Sequence, residues 1–209
     1  MSETINCPSC AAELDKKIKS TKHIVCEYCY SSLFFEDDSI QNLGVMAEVI
    51  DEPSILQLNI DFEYRGWNFV PIGRVRYDYG RGWWDEWYVM DTKGETKWIS
   101  VDEGQIAIEE KEERIENSPI VFEDCFVGDS IELTFKEKST LFTITEKKGC
   151  KNIAAEGELP FPIISDEEFN YIDLISKDGI SATIEIFNDG SQEIFFGSWI
   201  DAYDLKRCY

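Results

Sequence analysis

Four cysteines near the start of the chain carry its clearest chemistry. Cys7-Pro8-Ser9-Cys10 and Cys26-Glu27-Tyr28-Cys29 are two CxxC pairs separated by 15 residues. A CxxC pair puts two thiolates on one tight turn, and a hairpin between two such pairs gathers four sulfurs around one tetrahedral ion. The expected occupant is one structural Zn²⁺ held by Cys7, Cys10, Cys26 and Cys29, with no coordination position left open for catalysis. Iron in the same S₄ set is the competing metal, since soft thiolates accept both. A segment of about 35 residues buries too little surface to fold unaided, so the ion is expected to supply the folding free energy of residues 1–35.

The stretch resembles a zinc ribbon, with Ala11 and Tyr30 where glycine commonly follows the second cysteine of each knuckle. That position often needs positive φ, which costs a non-glycine residue roughly 1–2 kcal/mol. Between the knuckles lies "DKKIKSTKH". Such a basic tip can touch phosphates, dock onto an acidic body or stay solvated, and the last two are the expectation. His23, the single histidine, is read as a surface residue, because four cysteines already complete the site.

The second concentration of chemistry is "GWWDEWYVM", residues 82–90. On a strand, Trp84, Glu86, Tyr88 and Met90 face one way and Trp83, Asp85, Trp87 and Val89 the other. Trp67 and Trp98 can join them across neighbouring strands, so core packing is the first reading. An exposed platform of Trp67, Trp83, Trp84, Trp87 and Trp98 beside Arg74 and Arg76 is the second. Asp85 and Glu86 point to opposite faces, so they cannot be the converging carboxylates of a glycosidase. Either can accept an indole N–H or pair with an arginine. Cys125, Cys150 and Cys208 have no imidazole partner, serine lacks its base, and no glycine-rich phosphate loop occurs. A hydrolase built on Asp85, Glu86 or Glu156 is the minority reading, and no enzyme is expected.

Positioning these groups falls to short alternating runs. Strands are expected at 54–60, 67–78, 84–91, 95–101 and 104–109, then at 130–135, 139–147, 151–156, 170–176, 180–187 and 192–197. One helical turn is expected at 165–169 and a short final helix at 198–207. Gly94 and Gly179 lie 85 residues apart, and Gly104 and Gly190 lie 86 apart. Turns recurring in step predict two copies of one antiparallel meander, packed together as a sandwich or a barrel-like unit. The expected organisation is a ribbon at 1–35, an acidic connector at 36–52, a first β half at 53–118 and a second at 119–209. The charged "EEKEERIENSP" reads as the link between the halves.

Composition narrows the partners. The net charge is −22, from 20 basic and 42 acidic side chains. The four lysines and four acids of residues 1–35 balance, so the body holds the whole imbalance. Such a body repels phosphate backbones and anionic membrane surfaces and favours a basic protein surface or a cation. No apolar run approaches the ~20 residues of a membrane span. The start has neither a basic nor a hydrophobic signal segment, and the odd set of seven cysteines suits reduced thiols. A cytoplasmic location is expected.

"PSILQLNIDFEYRGWNFVPIGRVRYDYG", "WWDEWYVMDTKGETKWIS", "AEGELPFP" and "FFGSWI" together resemble the bacterial domain of unknown function (DUF) family 4178 over residues 53–203. Asn59 stands where that family commonly has glycine. The resemblance implies an accessory protein, connected with envelope-stress systems, and transfers no catalytic residue. The expected function is therefore a non-enzymatic adaptor that binds another protein. The alternative is a small-ligand or single-stranded nucleic-acid binder using the tryptophans and the ribbon lysines.

Overall fold

The computed structural model describes residues 3–36, 39–49, 54–112 and 119–208. The described N-terminal part holds β1 (Glu3–Asn6), β2 (Glu13–Lys16), β3 (His23–Val25), β4 (Ser31–Glu36) and β5 (Ser39–Val45). The first half of the body holds β6 (Phe62–Tyr64), β7 (Trp67–Asp78), β8 (Trp83–Asp91), β9 (Thr96–Asp102) and β10 (Gln105–Lys111). The second holds β11 (Ser130–Phe135), β12 (Lys138–Leu159), β13 (Glu168–Ser176), β14 (Ser181–Phe187), β15 (Gln192–Ile200) and β16 (Leu205–Arg207).

The body is a closed antiparallel barrel of eight strands. β7, β8, β9 and β10 pair in sequence, β10 pairs β15, the chain of pairs returns through β14 and β13 to β12, and β12 pairs β7. Each half supplies one four-stranded meander. The β8–β9 turn at Gly94 and the β13–β14 turn at Gly179 occupy matching places, as do Gly104 and Gly190 one turn later. All four glycines take positive φ, which these tight turns require. Closure removes the strand edges that an open meander would expose.

β12 makes the closure possible. Its 22 residues pair with β11 and β13 at one end, with β7 over Asn152–Gly157, and with β3 over Gly157–Leu159. Gly73 and Gly157 face each other where β7 and β12 meet. A Cβ on Gly73 would lie 2.0 Å from the Glu158 carbonyl oxygen, and one on Gly157 would lie 2.2 Å from that of Ile72. Only glycine fits at either position.

Three clusters follow from two-residue alternation. Tyr77, Tyr88, Trp98, Phe169, Tyr171 and Phe195 pack inside the barrel with Ile72 and Leu159. Trp87, Val89, Ile99 and Ile106 point outward and are covered by Leu56, Phe62 and the C-terminal residues around Leu205. On the opposite side, Ile172, Leu174, Ile184 and Phe196 are covered by Leu133 of β11 and by Cys125. The halves are therefore wrapped on both faces, and the barrel wall is buried from within and without.

Several elements differ from expectation. No helix forms at 198–207: β15 runs to Ile200, a three-residue 3₁₀ turn follows at Ala202–Asp204, and β16 pairs with β6. Asp201 accepts from the Tyr203 N–H at 2.9 Å, and Arg65 clamps Asp204 at 2.6 Å, which turns the chain back onto the sheet. Residues 165–169 make a turn that leads into β13, with Asp166 at φ 61°. No strand occupies 54–60; Asn59 takes φ 62° and its N–H bonds the Pro71 carbonyl at 2.9 Å. Asparagine tolerates that left-handed conformation better than most residues with a side chain. The runs at 139–147 and 151–156 are one strand. The connector read over 36–52 contains β5, with residues 37, 38 and 50–52 outside the described ones; 113–118 of the expected link also lie outside them.

Candidate metal centre and barrel interior

The two knuckles bring four sulfurs together. Cys7 Sγ lies 3.7 Å from Cys29 Sγ and Cys10 Sγ lies 3.7 Å from Cys26 Sγ, and all four sulfurs fall within 4.8 Å of one another. A tetrahedral ion with metal–sulfur distances of about 2.3 Å places its sulfurs roughly 3.8 Å apart, so the cluster has the dimensions of an S₄ site. Each knuckle closes with an N–H···O bond of 2.8 Å, Ala11 to Cys7 and Tyr30 to Cys26. Ala11 takes φ 61° and Tyr30 φ 57°, so the two residues that replace glycine adopt its conformation. Among the described residues this is the one group of side chains close enough to hold a metal ion.

The ribbon is joined to the barrel. β3 adds to β12, and the lysine-rich tip docks onto the body, with the backbone N–H of Lys17 donating to both Glu158 oxygens at 2.9 Å. Thr21 Oγ1 donates to Glu158 at 2.8 Å, and Lys17 Nζ bonds Asn59. His23 is not on the surface, as its sequence context had implied, but fully buried. Its Nε2 lies 2.6 Å from Ser32 Oγ and its Nδ1 accepts from the Ile163 N–H at 3.3 Å. Burial holds its pKa down to about 4.

The tryptophans do not share a face. Trp84 and Trp98 pack inside the barrel, Trp87 is 1% exposed beneath its outer cover, Trp67 stacks on Phe69 at 4.3 Å, and Trp83 remains 42% exposed. Arg74 and Arg76 are buried and clamp Asp85 from both sides, at 2.6 Å and 2.8 Å, while Arg74 lies over the Trp87 ring. Glu86 points the opposite way and accepts the Trp84 indole N–H at 2.9 Å. Glu156 lies 3.3 Å from Arg74. Asp85 and Glu156 are thus tied up in ion pairs. Cys125 and Cys150 are buried thiols, pushed up by desolvation and donating to the carbonyls of Val121 and Phe169. Cys208 is exposed.

Sequence reading missed a cavity of about 370 Å³ inside the barrel. Glu86, Glu109, Asp173 and Glu185 line it together with Asp102 and Glu146, and the bases that share the interior side are Lys111, paired with Glu193, and Lys148, paired with Glu146. Glu109 is 7% exposed and has neither a hydrogen bond nor an ion pair among the described residues. Asp173 is held by Thr183 Oγ1 at 2.8 Å. Ser181 Oγ and Asp102 Oδ1 are buried without a partner. Desolvation, with neighbouring carboxylates adding to it, raises Glu109 to about 7, Glu185 to about 8 and Asp173 to about 6, lifts Glu86 well above the usual range, and raises Asp102 as well. In "QIAIEE" and "ATIEIF" acids alternate with aliphatics, the pattern of a half-solvated strand. Only closure of the barrel turns that polar face inward.

The model of one protein family, described as "Domain of unknown function (DUF4178)", matches residues 58–202. No curated protein and no solved structure matches the chain.

Proposed function

The chain belongs to the DUF4178 family, and on that premise we propose that it is a non-enzymatic adaptor whose partner is another protein with a basic, extended segment. β5 supports this reading. It is the terminal strand of the large sheet, and all seven of its residues are exposed. Ile40, Leu43 and Val45 stand open on it, Val45 at 74%. An open strand edge offers a row of backbone donors and acceptors that a second chain can complete. Glu36 and Glu48 flank it in the sequence, and the net charge of −22 favours lysine and arginine on the incoming strand. The S₄ cluster is the scaffold of this edge, since β4, which pairs β5, starts two residues after Cys29. Zn²⁺ is the proposed ion, in a structural role, and the cytoplasm the proposed compartment; no described helix is long and apolar enough to cross a membrane.

Single-stranded nucleic acid is the weaker reading. The ribbon tip is bonded to Glu158 rather than free, and the tryptophans are divided between two cores. The test is affinity capture with the wild type, with Leu43→Lys on β5, and with Trp199→Ser on β15 as the control. A protein retained by the wild type and the control but lost with Leu43→Lys supports the adaptor. Equal recovery with all three sinks it.

A further inference from the structure

We propose that the barrel interior is a binding site for a small organic cation carrying more than one positive centre, with Glu109 as its principal anchor and Ser181 as a hydrogen-bonding partner. This goes beyond the adaptor reading and does not depend on it.

The cavity has the size of small-molecule sites, which run from about 300 to 1,000 Å³. The interior of an eight-stranded barrel is just wide enough to be filled by side chains or to hold one small ligand. Its mouth is marked by the exposed side chains of Gln105, Thr145 and Trp199, so the interior is reachable without opening the barrel. Within, Glu109 is a nine-tenths-buried residue lining the cavity, and Ser181 Oγ, on a different strand, is a fully buried hydroxyl without a hydrogen-bond partner. Burying unpaired polar groups costs free energy that a bound donor restores. Glu109 and Ser181 lie on neighbouring inward positions, because both pair across to Gly197 of β15.

The chemistry of the lining selects the class of ligand. Among the described residues the cavity acids do not gather three ligand atoms at one point, whereas the cysteines do. A single metal ion is therefore poorly served. The acids are spread over several strands and separated by Ala107 and Ile175, with Trp84 and Tyr171 alongside. An alkyl chain with an ammonium at each end matches both parts of that wall: its ends meet carboxylates or ring faces, and its middle meets apolar surface.

Isothermal titration of the full chain with cadaverine, near neutral pH and at low salt, tests this. The expected result is saturable binding whose heat varies with the buffer, because Glu109 and Glu185 surrender protons when the cation enters. Glu109→Gln and Glu185→Gln should each weaken binding roughly tenfold or more, as loss of a buried ionic partner does, while Glu132→Gln on the exposed side of β11 leaves it unchanged. Thermal melts establish that the variants fold, which the removal of a desolvated carboxylate favours. No saturable binding to folded wild type, wild-type affinity in Glu109→Gln, or tighter binding of magnesium chloride at the same site would each overturn the proposal.

Discussion

Glu158, at the end of the longest strand of the barrel, receives the hydroxyl of Thr21 at 2.8 Å across 137 residues of chain, and so ties the ribbon's tip to the barrel. Both side chains are buried. Glu158→Ala leaves the Thr21 hydroxyl and the Lys17 N–H unpaired, and a cost of about 1–3 kcal/mol is expected for each buried polar group so orphaned. Limited proteolysis should then cut faster between the two knuckles, at Lys16 and Lys17, which the intact fold half-buries.

Cys26→Ser should abolish metal retention, read by elemental analysis of protein purified without added metal, in which the wild type should carry one Zn²⁺ per chain. The damage should not stop at the ribbon. Because β3 pairs with β12, the thermal midpoint of the barrel should fall as well. An unchanged barrel melt would show that the ribbon is merely appended.

Trp87→Ala should cost roughly 3–5 kcal/mol, the range for truncating a fully buried large aromatic. Trp83→Ala, at the exposed start of the same strand, should stay within about 0.5 kcal/mol. Trp84→Ala should fall between them, since Trp84 is partly buried and stacks on Tyr77 at 4.7 Å. Thermal melts of the three variants check the order.

Two buried groups pull the stability in opposite directions over nearly the same pH range. His23 is held near 4 in the fold against 6.5 for the unperturbed group, so its contribution is full above 6.5 and is lost as pH falls toward 4. Glu109 behaves in the opposite sense. Its folded value of about 7 lies above the ordinary 4.5, so the fold loses stability as pH rises between those values. Each shift corresponds to something on the order of 3 kcal/mol. The two windows overlap, so the opposed slopes largely offset each other in the wild type. Chemical denaturation against pH should separate them by mutation: Glu109→Gln should tilt the profile toward greater stability at higher pH, and His23→Gln should tilt it the other way.

Gly73→Ala should be among the most damaging small substitutions, at about 1–3 kcal/mol or more for forced overpacking. The added methyl meets the Glu158 backbone, which cannot rotate away. Gly94→Ala, with open space around it, bears only the strain of its positive φ and should be milder. Melting temperatures separate the two.

Much of this was legible in the chain, and the limits have physical causes. The faces of β8 follow from alternation, so Trp87 and Trp84 were correctly assigned to opposite sides. The glycine turns at 94, 104, 179 and 190 revealed the duplication, because tight hairpins need positive φ at those places. The four cysteines announce themselves by spacing. His23 could not be placed, since its acceptor role is completed by the N–H of Ile163, 140 residues away. The interior acids were equally hidden, because an acid that alternates with isoleucine looks the same whether its face meets water or a barrel lumen. The final segment resembles an amphipathic helix, but pairing of Leu205 with Tyr64 outweighs that local preference.

The long bent strand β12 also orders events in time. On the ribosome the ribbon and the whole first meander emerge before residues 152–159, which both must meet. Until then the half-formed wall exposes two raw edges, β7 and β10, together with an apolar face awaiting its other half. Loop closure over such separations is slow, and species of this kind are prone to associate. The nascent chain is therefore most vulnerable between completion of its first half and arrival of β12, and a chain truncated before residue 150 should be recovered in aggregates rather than as a smaller folded unit.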